Sequence, residues 1–183
     1  GFQLGAMPAH STIVRLLKDN GYRTNMFYAG YYEFDNLKTF LDKQGTDYFA
    51  PFYDEYEASG FREEKANDWG YSDELLFERS LDYLDAHGGQ NHFSLYVTIT
   101  SHNEISIPGK GKYINAAKSI NSKLPLEKQK RNNAHIGYLA SFVYADDALR
   151  MFFARYRGRS DFNNTIFVIT GDHYISNFGI PNR

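Results

Sequence analysis

HFSLYVTITSH, residues 92–102, is the stretch that decides how this chain is read. From His92 to Thr100 it is rich in β-branched and aromatic residues, the composition of a buried strand. It then runs straight into Ser101 and His102. Two other segments share its character. Arg23–Ala29 (RTNMFYA) precedes it, and Thr165–Thr170 (TIFVIT) follows it. The last is a continuous apolar run of the kind that parallel sheets bury on both faces. It too runs straight on, through Gly171, into Asp172 and His173.

Helical patterns lie between these strands. Ser11 is placed to cap a helix with Ile13, Leu16 and Leu17 on one face, ended by Asn20-Gly21. Asp35 opens a short helix with Leu37, Phe40 and Leu41 inward, closed by Gly45. Ser72 caps a third, with Asp73 and Glu74 in the first turn, where the helix dipole favours negative charge. Phe77, Leu81 and Leu84 follow at i, i+4 and i+7, and His87-Gly88-Gly89 stops it. A fourth is expected from Lys128 to Arg157, with Tyr138, Phe142, Ala145, Leu149 and Phe152 at helical spacing. Strands separated by helical crossovers predict an α/β fold: a mostly parallel sheet with helices on both faces.

Composition bounds the function. Of 183 residues, 42% are apolar and 17% aromatic, too many for a disordered chain. The formal net charge is -2 with no basic stripe, so nothing points to nucleic acid. No run approaches the roughly 18 apolar residues of a membrane span. Cysteine is absent, which excludes disulfides, thiolate catalysis and Cys-ligated zinc. There is no internal repeat.

The chemistry gathers at strand ends. Parallel sheets bind ligands beyond the carboxyl ends of their strands. If the strands at 92–100 and 165–170 are parallel, His102 and His173 emerge at one edge of the sheet, with Asp172 beside them. A carboxylate next to a neutral imidazole suits a divalent cation such as Zn or Mn. Gly171 allows a sharp turn just before the ligands. A plainer reading stands beside this one. Asp172 can cap a following turn, and His102 can be a hydrogen-bonded structural histidine.

Other residues carry weaker signals. Asp146 and Asp147 lie within an apolar helix and read as surface or hydrogen-bonded carboxylates. Tyr31, Tyr32, Glu33 and Asp35 follow the first strand and are candidates to line the same cleft. Trp69-Gly70 reads as a packing anchor in a loop, and Tyr53 and Tyr56 belong to a polar aromatic loop. His10, His87, His92 and His135 have no metal spacing and read as surface residues. The basic stretch 108–131 reads as a solvated excursion, with anionic lipid as a possible neighbour.

Five motifs in order resemble one family. Phe27-Tyr28-Ala29-Gly30 with Phe34-Asp35-Asn36-Leu37 resembles the "YGG…FDNM" stretch of lipoteichoic-acid-synthase-type phosphoglycerol transferases. These belong to the sulfatase group of the alkaline phosphatase superfamily. Asp68-Trp69-Gly70-Tyr71-Ser72-Asp73 is similar to their "WG(V/L)SD", and Thr98-Ile99-Thr100-Ser101-His102 to their "TxTxH". Tyr144-Ala145-Asp146-Asp147-Ala148-Leu149 resembles "YADxAL", and Thr170-Gly171-Asp172-His173-Tyr174 resembles "YGDHYG".

The resemblance implies roles. Asp172 and His173 match metal ligands, with Mn2+ expected and Mg2+, Ca2+ or Zn2+ as options. His102 matches a histidine that contacts the substrate phosphate, and Asp146 and Asp147 match a helix motif without ligands. No residue matches the family's Thr or Ser nucleophile or its acidic N-terminal ligand. Residues 1–183 are therefore expected to be part of a single sulfatase-like catalytic domain, lacking its N-terminal nucleophile segment and its C-terminal end. The implied parent is a metal-dependent phosphoglycerol transferase or a sulfuric or phosphoric ester hydrolase of the cell envelope. Its implied substrate is an anionic phospholipid or another phosphate or sulfate ester. It is expected to lie outside the cytoplasm, at the cell membrane or in the periplasm, held by N-terminal segments not present here. The fragment alone is expected to be inactive. The alternative is a non-catalytic envelope protein of the same fold that binds or senses anionic lipid.

Overall fold

The computed structural model describes residues 11–51, 55, 65–67, 70–102 and 107–172. His173, and with it His10, Tyr53, Tyr56 and Trp69, lies outside the described residues. The chain divides into two units, Gly1–Ile99 and Thr100–Arg183.

In chain order the first unit has α1 (Ile13–Asp19), β1 (Arg23–Tyr28), a 3-10 turn (Phe34–Asn36) and α2 (Leu37–Gln44). β2 (Tyr48–Phe49), β3 (Lys65–Asn67), β4 (Gly70–Tyr71), α3 (Asp73–Ala86) and β5 (His92–Val97) follow. β1 is central, with β2 and β5 parallel to it on either side. The β1–β5 register runs from Arg23 opposite His92 to Tyr28 opposite Val97.

The two-residue period of β1 sends its side chains into two cores. On one face Phe27 packs with Ala29, Ala50, Tyr71 and the α3 residue Leu76, and Tyr96 stacks on Phe27 at 4.9 Å. On the other face Met26 and Tyr28 pack with Val14 of α1 and Leu41 of α2. β1 is thus buried on both sides and helices cover both faces, as expected. Burying side chains such as Phe27 and Met26 contributes about 1.5–3 kcal/mol each.

Two helix readings shift. Thr12, not Ser11, caps α1 by accepting from Arg15 N–H at 3.2 Å. The buried residue of α1 is Val14, while Ile13 and Leu16 are 61% and 62% exposed. Val14 and Leu17 form a second stripe at i, i+3, and packing chose that one. α2 begins at Leu37 rather than Asp35. Asp35 and Asn36 take positive φ, 51° and 61°. Asp and Asn tolerate this region better than other non-glycine residues.

The second unit has α4 (Lys110–Asn121), α5 (Leu126–Asn133), α6 (Ile136–Tyr156) and a 3-10 turn (Phe162–Asn164). The basic stretch is therefore not a plain excursion. Tyr113, Ala117 and Asn121 form a buried i, i+4, i+8 stripe on α4 that the lysines masked. The single helix expected over 128–157 is broken into α5 and α6. Asn121, 4% exposed, reaches α5 by donating to Gln129 O and Asn133 Oδ1 and accepting from Asn132 Nδ2. On α6 the buried stripe is Gly137, Ala140, Ser141, Tyr144, Ala148, Phe152 and Tyr156. Of the stripe read from sequence only Phe152 lies in it, and Phe142 is 39% exposed. A helix apolar nearly all round offers several stripes, and sequence alone does not rank them.

The expected third strand differs most. Thr165 has extended angles (φ -108°, ψ 133°), but residues 165–170 join no ladder among the described residues. Phe167 packs on Phe153 and Tyr156, with ring centroids 4.8 and 4.9 Å away. Its neighbours Ile166 and Val168 are 90% and 84% exposed, and Ile169 is 67% exposed. The run has strand chemistry, but a strand also needs a row of backbone partners from elsewhere.

Candidate site at the strand ends

β1 and β5 are parallel, so their carboxyl ends share an edge. Three residues of the stretch Gly70–Asp73 hold the chain where it leaves both, and the fourth starts the helix. Gly70 bridges Gly30 in antiparallel fashion. Tyr71 N–H donates to Ala29 O at 3.1 Å. Ser72 caps α3 by accepting from Leu75 N–H at 3.4 Å. Asp73 Oδ1 accepts from Ile99 N–H at 3.0 Å. Gly70 must lack a side chain here: a β-carbon would lie 2.3 Å from Ala29 O.

Beyond Val97 the chain continues through Ile99 and Thr100, 4% and 0% exposed. It then turns outward at Ser101, and His102 is exposed. Asp172 is likewise exposed, in a bend after Gly171. A side chain at Gly171 would meet nothing within 4 Å among the described residues. Among the described residues no group of three or more His, Asp or Glu is gathered to hold a metal ion.

Other candidates resolve into structure. Tyr32 ties the end of β1 to the turn that follows it. Its hydroxyl donates to Met26 O at 3.0 Å and accepts from Tyr28 N–H at 3.2 Å. Burial pushes that hydroxyl above the ordinary phenol range, despite the backbone bond from Tyr28. His87 and His92 are not plain surface residues. His92 accepts from Asn25 Nδ2 and donates from Nε2 to His87 O at 2.9 Å, and His87 stacks on Tyr83 at 4.1 Å. They close the amino end of the sheet, away from the strand exits.

Asp146 is exposed. Asp147 accepts from Arg150, from Tyr113 Oη at 2.8 Å and from Lys112 Nζ at 3.2 Å. Hydrogen bonds from Arg150 first and Tyr113 second, with a lesser one from Lys112, hold its carboxyl down at about 2 against the opposing effect of burial. Asp146 is thus a surface carboxylate and Asp147 a hydrogen-bonded one, the plain reading of this pair from sequence.

Asp73 is the residue that sequence reading placed but did not interpret. From sequence it is a favourable charge in the first turn of α3. Its partner Ile99 lies 26 residues away, and no local signal announces that bond.

The sulfatase family's sequence profile matches residues 5–180. The lipoteichoic acid synthase-like protein YvgJ of Bacillus subtilis (strain 168) is 26% identical over 163 residues, covering 89% of this chain and 24% of that protein. The crystal structure of the lipoteichoic acid synthase LtaP from Listeria monocytogenes superposes with a TM-score of 0.55. It is 23% identical and covers 78% of this chain and 32% of that one. A protein of the alkaline phosphatase superfamily from Vibrio parahaemolyticus also gives a TM-score of 0.55, at 29% identity over 82% of this chain and 32% of that one. The chain thus spans about a quarter of the length of the Bacillus subtilis relative, 24%.

Proposed function

This chain belongs to the sulfatase family, as a lipoteichoic-acid-synthase-like member of the alkaline phosphatase superfamily, and we propose that it is an internal part of a cell-envelope phosphoglycerol transferase or ester hydrolase. Residues 1–183 belong, on this reading, to one catalytic domain whose nucleophile is supplied by polypeptide outside the chain. The observation that carries it is the parallel β1–β5 pair, pinned at its carboxyl edge, whose second strand leads through buried Ile99 and Thr100 to exposed His102.

His102 is assigned to the substrate. Its imidazole can donate to a non-bridging oxygen of a phosphate or sulfate ester, or pass a proton to the leaving oxygen. Asp172 and His173 are assigned to a divalent cation. An exposed carboxylate and an imidazole are donors that Mn2+ accepts, and Mg2+, Ca2+ or Zn2+ are compatible in part. When bound, such a cation supplies Lewis-acid stabilisation of the charge that develops on the ester oxygens. The preferred donor substrate is a glycerophosphate ester of an anionic phospholipid, acted on outside the cytoplasm at the membrane surface.

The test is Mn2+-dependent turnover by the longer protein that carries this chain. Fluorescent phosphatidylglycerol, a p-nitrophenyl phosphodiester and p-nitrophenyl sulfate are offered in parallel. Release of diacylglycerol, abolished by His102→Ala, is the expected result. Turnover of the sulfate ester alone would make the protein a sulfatase. Lipid binding without turnover of any of the three would overturn the enzymatic reading in favour of a non-catalytic one.

A further inference from the structure

The β1–β5 ladder ends at Tyr28 opposite Val97. The continuation of β5 stays buried, with Ile99 4% and Thr100 0% exposed. A buried N–H there lacks a strand to accept it, and leaving it without an acceptor costs about 1–3 kcal/mol. Asp73 supplies the acceptor: its Oδ1 takes the Ile99 N–H at 3.0 Å, and the residue is itself 1% exposed. The carboxylate sits in the first turn of α3, at the positive end of the helix. It is not needed as the helix cap, because Ser72 already accepts from Leu75 N–H. Asp73 is held in turn by the residues before it, through the Tyr71 bond to Ala29 O and the Gly30–Gly70 bridge. One short stretch, Gly70–Asp73, thus ties the end of β1 to the end of β5.

We propose that Asp73 is a positioning residue for His102: it fixes the direction in which the chain leaves β5, three residues before the imidazole. The inference rests on the reading of His102 as the group that contacts the ester. A bond that only stabilised the fold would change the melting temperature and leave turnover per folded molecule intact. A bond that aims His102 must show in turnover by folded protein, because a displacement of about 1 Å at a reacting group can cost roughly 100-fold in rate.

The test is a double-mutant cycle in the longer protein, comparing wild type, Asp73→Ala, Asp73→Asn, His102→Ala and the Asp73→Ala/His102→Ala pair. Each is confirmed folded at the assay temperature by circular dichroism. Asp73→Asn keeps an oxygen that accepts the Ile99 N–H and is expected within about 3-fold of wild type. Asp73→Ala is expected to lower kcat by roughly 10- to 100-fold with KM nearly unchanged. The double variant is expected to be no slower than His102→Ala, since a lost aim costs nothing once the imidazole is gone. If Asp73→Ala does not fold, Asp73→Glu carries the test. It keeps the charge but moves the oxygen, and an equally lowered kcat is expected. Wild-type kcat in a folded Asp73→Ala or Asp73→Glu protein, beside a slow His102→Ala, overturns the positioning role alone. Losses that multiply in the double variant overturn it as well. A fully active His102→Ala protein instead removes the reading of His102 on which the proposal stands.

Discussion

Gly70 and Ala29 meet backbone to backbone: a β-carbon on Gly70 would lie 2.3 Å from the Ala29 carbonyl oxygen and 2.9 Å from its carbon. Nothing at that crossing is a flexible side chain, so any substitution moves main chain. Gly70→Ala is expected to destabilise the chain by about 2–3 kcal/mol. Gly88→Ala is the control, because a β-carbon there would meet nothing within 4 Å among the described residues. Thermal melts of the two variants should rank Gly70→Ala well below Gly88→Ala. Equal midpoints would show that the crossing is looser than described.

Asp147 makes stability depend on pH in a defined window. Its folded carboxyl titrates at about 2, against an ordinary value of 3.8. A depressed carboxylate contributes stability that is present above its unfolded pKa and lost as pH falls through the folded one. The contribution is therefore full above about pH 4 and fades toward pH 2. Solvent screens this network, so Asp147→Asn should cost only about 1 kcal/mol at neutral pH. Melts from pH 6 to pH 2 should show the gap between wild type and variant closing below pH 4. A gap that is constant across that range would remove the ion-pair account.

The 165–170 run should behave as an exposed apolar edge in the isolated chain. Unpaired strand-like segments of this kind promote association. Ile166→Lys and Val168→Lys, each at a side chain that is 90% or 84% exposed, should change stability by less than about 0.5 kcal/mol and reduce aggregation measured by light scattering. Phe167→Ala should instead cost about 2–3 kcal/mol, because that ring packs on Phe153 and Tyr156. Equal effects of Phe167→Ala and Val168→Lys on the melting temperature would contradict the alternation.

Asp172 separates metal binding from folding. It is exposed, so Asp172→Asn should leave the melting temperature of the metal-free longer protein unchanged. In the same protein it should abolish both the Mn2+-dependent rise in melting temperature and the turnover of phosphodiester. On the proposed reading the 183-residue chain alone should show little Mn2+ shift and no turnover, because Asp172 and His173 by themselves would make a poor cage and the proposed nucleophile is outside the chain. Robust turnover by the chain alone would place the nucleophile inside it.

Much of the first unit was legible in the sequence. Arg23–Ala29 and His92–Thr100 read as strands because their β-branched and aromatic residues suit a pleated, buried surface. α3 was legible from Ser72 through Leu84, because a capping serine, an acidic first turn and a 3.6-residue apolar period agree with one another. His102 was legible as a candidate because it follows a strand that had already been identified. The second unit was harder. On α4 Lys110, Lys112 and Lys118, interspersed along the helix, hid the stripe of Tyr113, Ala117 and Asn121, and on α6 several apolar stripes overlapped.

By itself, then, the sequence determined which segments can be strands and helices, where α3 begins, and that polar residues follow the strand-like runs at 92–100 and 165–170. Those are properties of residues near one another, set by backbone sterics, capping and period. Only the tertiary structure decided that Val14 rather than Ile13 and Leu16 faces the core, that Asp73 accepts from Ile99, and that Gly70 crosses Ala29 too closely for any side chain. It also decided that 92–97 finds a ladder while 165–170 has none among the described residues. The reason is the same in each case: burial and hydrogen bonding are completed by partners remote in sequence, and a chain's local chemistry states what it can offer but not what will meet it.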